Sequence, residues 1–261
     1  MQPFVDFKNV SLRYGGVEKG LLALSDINLQ VKEGEFVAIV GPSGCGKSTF
    51  LKATSGLWPV TSGEIVVNNA KVKGPVNCVG MAFQNPTLLP WRNTLDNVML
   101  PLEVVKPQRY NWRQKRSEYV QAAKTLLDMV SLAGSEDKFP WELSGGMQQR
   151  VSICRSLIHD PKLLMLDEPF GALDMFTRED LWTALQDIWL KKRPTIILVT
   201  HDIREAVYLA DRVIIMAAKP GRIVSEQTIT FTRPRPLTLT FDSEFGEIFS
   251  SIRAKITEVS R

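Results

Sequence analysis

Two hydrophobic periods divide this chain. Residues 5–12 and 23–31 alternate apolar with polar side chains, the period of two that predicts half-buried strands. Residues 35–40 and 163–166 are nearly continuous apolar runs, suited to strands covered on both faces of a parallel sheet. Further strands are predicted over 63–68, 76–83, 195–200 and 212–216. Between these groups the period changes. Residues 94–157 read as mostly helical, with Val120, Ala123, Leu126, Leu127 and Val130 at three- and four-residue spacing on one helix face. A helix is predicted over 178–191, and Phe245, Ile248, Phe249, Ile252, Ile256 and Val259 mark a final amphipathic one that is expected to pack on the core or on a partner. A helical piece is therefore set into an α/β core that starts before it and resumes after it.

Composition narrows the classes. A chain of 261 residues, 44% hydrophobic and 23% charged, has the make-up of an ordinary soluble globular protein. Its net charge of +4 is mild and not gathered into a tail, which argues against a dedicated nucleic-acid binder. Lys106, Arg109, Arg113, Lys115 and Arg116 are interleaved with Tyr110, Trp112 and Tyr119, and are taken as a solvated surface rather than a nucleic-acid platform. Cys45, Cys78 and Cys154 show no metal-ligand spacing, and scattered thiols of odd number suit a reducing cytosol. The opening residues have no basic and apolar leader, so no signal peptide is expected, and no apolar run approaches bilayer length. Any membrane role is then expected to come through a partner. Arg233-Pro234-Arg235-Pro236 reads as a linker.

The chemistry begins at Gly41-Pro42-Ser43-Gly44-Cys45-Gly46-Lys47-Ser48-Thr49. An apolar strand runs into it and an apolar helical stretch leaves it, the context a G-x-x-x-x-G-K-[ST] phosphate loop requires. Glycines let backbone N–H groups approach phosphate, and the helix N-terminus adds positive potential. Lys47 is placed to reach the terminal phosphates and Ser48 to ligate Mg2+, with Thr49 behind it. Cys45, at a positive helix end, is expected to favour the thiolate and to react with thiol reagents. Asp167 and Glu168 follow the buried run 163–166, at the carboxyl end of a strand where α/β sheets place ligands. One carboxylate can serve the metal and the other can polarise an attacking water. Ser144-Gly145-Gly146 precedes a helical stretch, and Ser144 is a good N-cap, so a second anion-seeking helix end is expected there.

Taken together, these motifs resemble those of the ATP-binding subunit of an ATP-binding-cassette (ABC) transporter, over roughly residues 4–217. Residues 41–49 match the Walker A loop, Gln84 the Q-loop glutamine, residues 143–148 the family signature, and residues 163–168 the Walker B strand with Glu168 as its catalytic glutamate. Gly171-Ala172-Leu173-Asp174 matches the D-loop, His201 the switch histidine that meets the γ-phosphate, and Tyr14 the aromatic residue that stacks on adenine. The usual signature has Gln directly after the two glycines; here Met147 stands there and Gln148 follows.

The resemblance implies an α/β fold: a phosphate-loop (RecA-like) core with N-terminal antiparallel β strands and an inserted α-helical subdomain. Residues 1–85 and 159–217 would form the ATP-binding core, 86–158 the helical signature subdomain, and 218–261 a C-terminal extension. It implies ATP and Mg2+ as ligands, with Lys47, Gln84, Glu168 and His201 catalytic and Ser48, Gln84 and Asp167 around the metal. Tyr14, residues 41–49, Ser144, Gly145, Gly146, Gln148 and Asp174 would contact nucleotide. The implied partners are a second copy in a head-to-tail dimer, two transmembrane permease subunits that meet the loop from Gln84 to Trp91, and indirectly a solute-binding protein. No nucleic acid is expected, and the place implied is the cytoplasmic face of the inner membrane. The stretch 88–98 and the Met147 signature are most similar to importers of the nitrate/sulfonate/taurine group. The competing expectations are a soluble non-transport ABC ATPase acting on nucleic acid or ribosomes, and an unrelated phosphate-loop enzyme such as a kinase, on which Ser144-Gly145-Gly146 has no use.

Overall fold

The computed structural model describes residues 2–15, 20–171 and 173–259. Gly16, where the sequence Gly15-Gly16 after Tyr14 is turn-like, and Ala172 of the D-loop lie outside them. In chain order the elements are β1 (Val5–Tyr14), β2 (Leu21–Val31), β3 (Phe36–Val40), α1 (Lys47–Thr54), β4 (Ser62–Val67), β5 (Ala70–Lys71) and β6 (Val79–Ala82). They continue with α2 (Thr94–Val104), α3 (Arg116–Met129), α4 (Gly145–Leu157), β7 (Leu163–Asp167), α5 (Met175–Lys192), β8 (Thr195–Thr200), α6 (Ile203–Leu209), β9 (Arg212–Ala217), β10 (Arg222–Thr228) and α7 (Ser243–Val259). The chain thus has the expected α/β class, with antiparallel N-terminal strands and a helical insertion.

Two compact units share these elements: residues 1–76 with 192–261, and residues 77–191. In the first, β2-β1-β4-β5 is antiparallel throughout. A second set runs β10-β9-β3-β8, with β9, β3 and β8 parallel and β10 antiparallel on β9. Every residue of β3 and β8 is buried, which is why both read as unbroken apolar runs. In the second unit β6 pairs in parallel with the equally buried β7, and α2, α3 and α4 pack together. Ala123, Leu126, Leu127 and Val130 are buried on α3 and its end, as their spacing predicts, while Val120 is half-buried.

The C-terminal part departs most from expectation. β10 and α6 have no counterpart among the predicted elements. β10 is polar and alternates exposed with half-buried positions. The final amphipathic helix forms, and α7 packs on α6 and β9 with Phe245 and Ile252 buried. Residues 233–236 are not a linker: Arg235 is 2% exposed and its guanidinium lies on backbone carbonyls of α6. Proline density marks an irregular backbone correctly but says nothing of what lies beneath it.

Candidate functional site

In the first unit, β3 delivers the chain into the loop 41–46. Gly46 is the N-cap of α1 at φ 93°, a left-handed conformation that disfavours any side chain. A Cβ there would also stand 2.8 Å from Leu24 Cδ2. At Gly41 a Cβ would stand 2.4 Å from the Met216 carbonyl oxygen. Gly41 and Gly46 are therefore demanded by packing, whereas Gly44 has open space around it and is favoured by its φ of 76°.

Lys47 is only 7% exposed, and its Nζ donates to the Gly41 and Pro42 carbonyls at 3.0 and 3.2 Å. The loop curls around its own cation. Ser43, Gly44 and Ser48 face solvent. Cys45 is fully buried, with Sγ 4.0 Å from Lys47 Nζ, which corrects the expectation of an accessible, reactive thiol.

Tyr14, at the end of β1, shares a 2.5 Å hydrogen bond between its hydroxyl and Thr49 Oγ1. Its ring meets Trp58 edge-on at 4.4 Å, and Lys52 Nζ lies over the Trp58 ring. The adenine-stacking candidate is thereby tied to the helix that follows the phosphate loop, and Thr49 is what ties it.

His201 is exposed on the turn between β8 and α6. Thr200 Oγ1 donates to the Glu205 carboxylate and accepts from the Asp202 N–H at 3.0 Å. Asp202 Oδ1 accepts from the Arg204 N–H at 2.8 Å as the N-cap of α6. The histidine thus rides on a turn clamped from both sides.

In the second unit, Asp167 ends β7 at 7% exposure, and Glu168 follows in a left-handed conformation at φ 46°. A non-glycine residue held there is strained, and such residues cluster at functional sites. The register of β6 on β7 pairs Ala82 with Leu166, and two residues further on Gln84 Nε2 donates to Glu168 Oε2 at 3.4 Å. Ser48 and Asp167 offer hard oxygen donors, which suit Mg2+. No group of three His, Cys, Asp or Glu among the described residues could enclose a metal. Each of these oxygens, taken by itself, is of the kind Mg2+ accepts, and Mg2+ keeps waters and substrate phosphates as its other ligands.

Ser144 caps α4, accepting the Met147 N–H at 3.3 Å. Gly145 is exposed, and a Cβ there would meet nothing within 4 Å. Gln148 points the other way, its Nε2 donating to the Pro140 and Leu143 carbonyls at 2.8 and 3.2 Å. Its amide nitrogen is committed to the loop before Ser144 rather than displayed at the helix end. Asp174 Oδ1 accepts the Thr177 N–H at 3.0 Å at the start of α5, and hydrogen bonds from Thr177 hold its carboxyl below the usual range.

Three partners around Gln84 were not singled out by the sequence reading. Buried Gln149 donates from α4 to the Phe83 carbonyl at 3.1 Å, and Arg155 reaches the Pro86 and Thr87 carbonyls at 2.6 and 3.0 Å. Asn97, fully buried, bonds Leu89, Arg92 and Asn93 backbone groups, while Arg92 forks onto Glu103 at 2.7 and 3.0 Å. The loop therefore presents Trp91, 71% exposed, from a fixed backbone. Arg92 and Asn97 fall in the stretch 88–98 that carries the importer resemblance, whereas Gln149 and Arg155 reach back across 66 or more positions, where no local signal marks the pairing.

A phosphate loop after a buried parallel strand, a second strand ending in Asp-Glu, and a Ser-Gly-Gly helix end define the class: a nucleotide-binding ATPase cassette. The model of the family described as ABC transporter matches residues 24–171. An uncharacterized ABC transporter ATP-binding protein of Methanocaldococcus jannaschii is 46% identical over 216 residues, 83% of this chain and 78% of the relative. An aliphatic sulfonates import ATP-binding protein of Bacillus licheniformis is 45% identical over 233 residues, 89% and 85% of the two. Among solved structures, a dimeric ATP-binding cassette in a post-hydrolysis state bound to ADP and Pi is 33% identical with TM-score 0.74, covering 87% of this chain and all of that one. The chain belongs to the ABC transporter family, as an ATP-binding and ATP-hydrolysing transport ATPase. No helix among the described residues is long and apolar enough to cross a membrane.

Proposed function

We propose that this chain powers an importer of the nitrate/sulfonate/taurine group, taking up a small organic or inorganic anion through permease subunits. The observation that carries the reading is the exposed Trp91 on the braced loop that follows Gln84, in a chain some of whose relatives are named aliphatic sulfonates import ATP-binding proteins. An exposed indole on a braced loop is a surface that expects a partner. In this reading the permeases dock on the loop from Gln84 to Trp91 at the cytoplasmic face of the inner membrane, and a solute-binding protein delivers the solute to them.

Two copies meet head to tail. Each ATP lies between residues 41–49 of one chain and Ser144, Gly145 and Gly146 of the other, so the triphosphate bridges two positive helix ends that would otherwise repel. Tyr14 stacks on adenine, and Asp174 shapes the stretch between Glu168 and α5. Glu168, held by Gln84, orients water for attack on the γ-phosphorus and accepts its proton. The bond from γ-phosphorus to the bridging oxygen breaks, and ADP and phosphate leave. Lys47 and His201 stabilise charge on the transferring group. Ser48 and Asp167, with Gln84, would hold Mg2+, which supplies neutralisation of the phosphate charge.

The test is co-purification of tagged Glu168→Gln from its native membranes with ATP. That variant should keep ATP binding and nearly abolish turnover, so that the closed dimer accumulates. An integral membrane chain should come with it. A soluble homodimer alone, or one carrying nucleic acid, overturns the importer reading.

A further inference from the structure

The segment between β10 and α7 does something to α6 that the reaction uses. An α-helix leaves its last carbonyls without partners, and α6 has no basic residue in its own last turn to serve them. Two arginines from residues 233–235 take that place. Arg235 Nη1 lies 3.0, 2.8 and 2.9 Å from the carbonyls of Val207, Tyr208 and Ala210. Arg233 Nη2 donates to the fourth, that of Leu209. All four carbonyls from 207 to 210 are thus met by side chains that lie 23 or more residues downstream in sequence.

The clasp is reciprocal. The Tyr208 hydroxyl donates to the Arg235 carbonyl at 2.6 Å, and Arg235 also donates to the Phe231 carbonyl. Burial and the neighbouring Arg233 bring the Arg235 pKa down to about 10, so it remains a cation at neutral pH. A cation at this end also complements the negative end of the helix dipole.

The other end of α6 is the His201 turn, fixed through Thr200, Asp202 and Glu205. Arg233 extends the same clasp to the strand that feeds the phosphate loop. Its Nε and Nη2 donate to Asp211 Oδ1 at 3.2 and 2.9 Å, while Asp211 Oδ2 accepts the Phe36 N–H at 3.0 Å. The Asp211 N–H returns to the Phe36 carbonyl at 2.7 Å. One short segment therefore fastens the helix that follows the His201 turn and the first residue of β3.

The geometry points to Arg235 as a positioning residue for ATP hydrolysis: by clasping the C-terminal end of α6 it sets the His201 turn at the other end, and makes the 218–261 extension part of the ATPase. A helix of seven residues is too short to hold itself, so its ends must be held from outside. Arginine suits the place because Nη1 meets the α6 carbonyls while Nε and Nη2 reach the Phe231 carbonyl, two separate points that the single ammonium of a lysine does not span. This inference rests on the reading of His201 as the γ-phosphate contact.

The experiment uses the full chain and the variants Arg235→Met, Arg235→Lys, His201→Ala and the Arg235→Met/His201→Ala double. Hydrogen exchange of the Asp202 and Arg204 amides is measured beside kcat and KM for ATP. Arg235→Met should lower the protection of those two amides and cut kcat by about tenfold with KM little changed, on the scale of one misplaced charge-stabilising group. Arg235→Lys should recover little. In the His201→Ala background the Arg235 change should add nothing further. Unchanged protection at Asp202 and Arg204, or an equal further loss of kcat in the His201→Ala background, overturns the inference. Full activity of His201→Ala instead overturns the role given to the histidine, while the exchange result still reports on the clasp. Should Arg235→Met fail to fold, Tyr208→Phe removes only the hydroxyl bond to the Arg235 carbonyl, and should produce the same pattern at smaller size; no change in exchange there counts against the clasp.

Discussion

The helix ends at α1 and α4 are both proposed to meet phosphate, and they are built differently. Neither has an acidic residue in its first turn, so the positive end of each dipole is left for an external anion. At α1 the cap is Gly46, which has no side chain to spend, and the loop wraps a buried Lys47. At α4 the cap is Ser144, which spends its hydroxyl on the Met147 N–H, and no lysine stands among residues 143–148. The first end is equipped to hold a triphosphate alone. The second offers backbone N–H groups and one hydroxyl.

Breaking each end in turn should give different failures. Lys47→Met removes the only side-chain cation of the loop and should cut turnover by about 10²–10³, the range seen on removing a charge-stabilising group, with loss of ATP binding by the isolated chain. Ser144→Ala should leave that binding intact and cut turnover by about tenfold, the rate equivalent of one hydrogen bond to a charged group. Equilibrium binding of a fluorescent ATP analogue, measured beside steady-state hydrolysis, separates the two. Equal loss of binding in both variants would erase the distinction.

A smaller pair of changes sharpens it. Gly46→Ala puts a side chain at φ 93° and 2.8 Å from Leu24 Cδ2, and should cost about 1–3 kcal/mol of stability. Gly145→Ala meets open space in the first turn of a helix and should stabilise the fold by up to about 1 kcal/mol. Turnover should fall in both, at Gly46 because relief of the clash with Leu24 shifts the phosphate loop, and at Gly145 because the methyl stands at the helix end proposed to meet the anion. Thermal melting beside hydrolysis reads the opposite signs. Full turnover by Gly145→Ala would mean that no anion comes to that end.

The same contrast explains how much was legible in the sequence. The phosphate loop is nine consecutive residues whose strand and helix are its immediate neighbours, so its conformation is local and its pattern carries it. The Asp167-Glu168 pair could be placed for the same reason, at the end of a continuous apolar run. What could not be read are the braces. Tyr14 with Thr49, Gln149 with the Phe83 carbonyl, and Arg235 with the end of α6 are joined across 35, 66 and more than 20 positions. Each is made by a residue type that is ordinary on a surface. The prolines at 234 and 236 signalled irregular backbone, and only the fold shows that two arginines spaced by two fall against one helix end. A polar strand such as β10, with no apolar period of its own, is recognised by the strand it pairs with rather than by its composition.

Acid should separate the two units by a subtler route. His159 follows α4 and is 8% exposed, with Nε2 3.3 Å from the carbonyl of Val79, the first residue of β6. Its Nδ1 is buried without a hydrogen-bond partner. Burial holds its pKa below the ordinary 6.5, against smaller opposing pulls from the Val79 carbonyl and from Asp160. The folded state therefore takes up this proton less readily than the unfolded chain. The stability it contributes is complete above about pH 6.5 and is lost as the pH falls below that value toward the depressed folded one. The phosphate loop carries no histidine, so the loss should fall on the neighbourhood of β6 and α4, which also leads to Gln84. Amide protection factors in β6 and α4 should drop between pH 7.5 and 5.5 while those in β3 and α1 hold. His159→Asn should remove the part of the acid-induced fall in melting temperature that belongs to this group. An acid response identical in the two proteins would show that the buried imidazole is not what makes the signature side of the cassette the more acid-sensitive one.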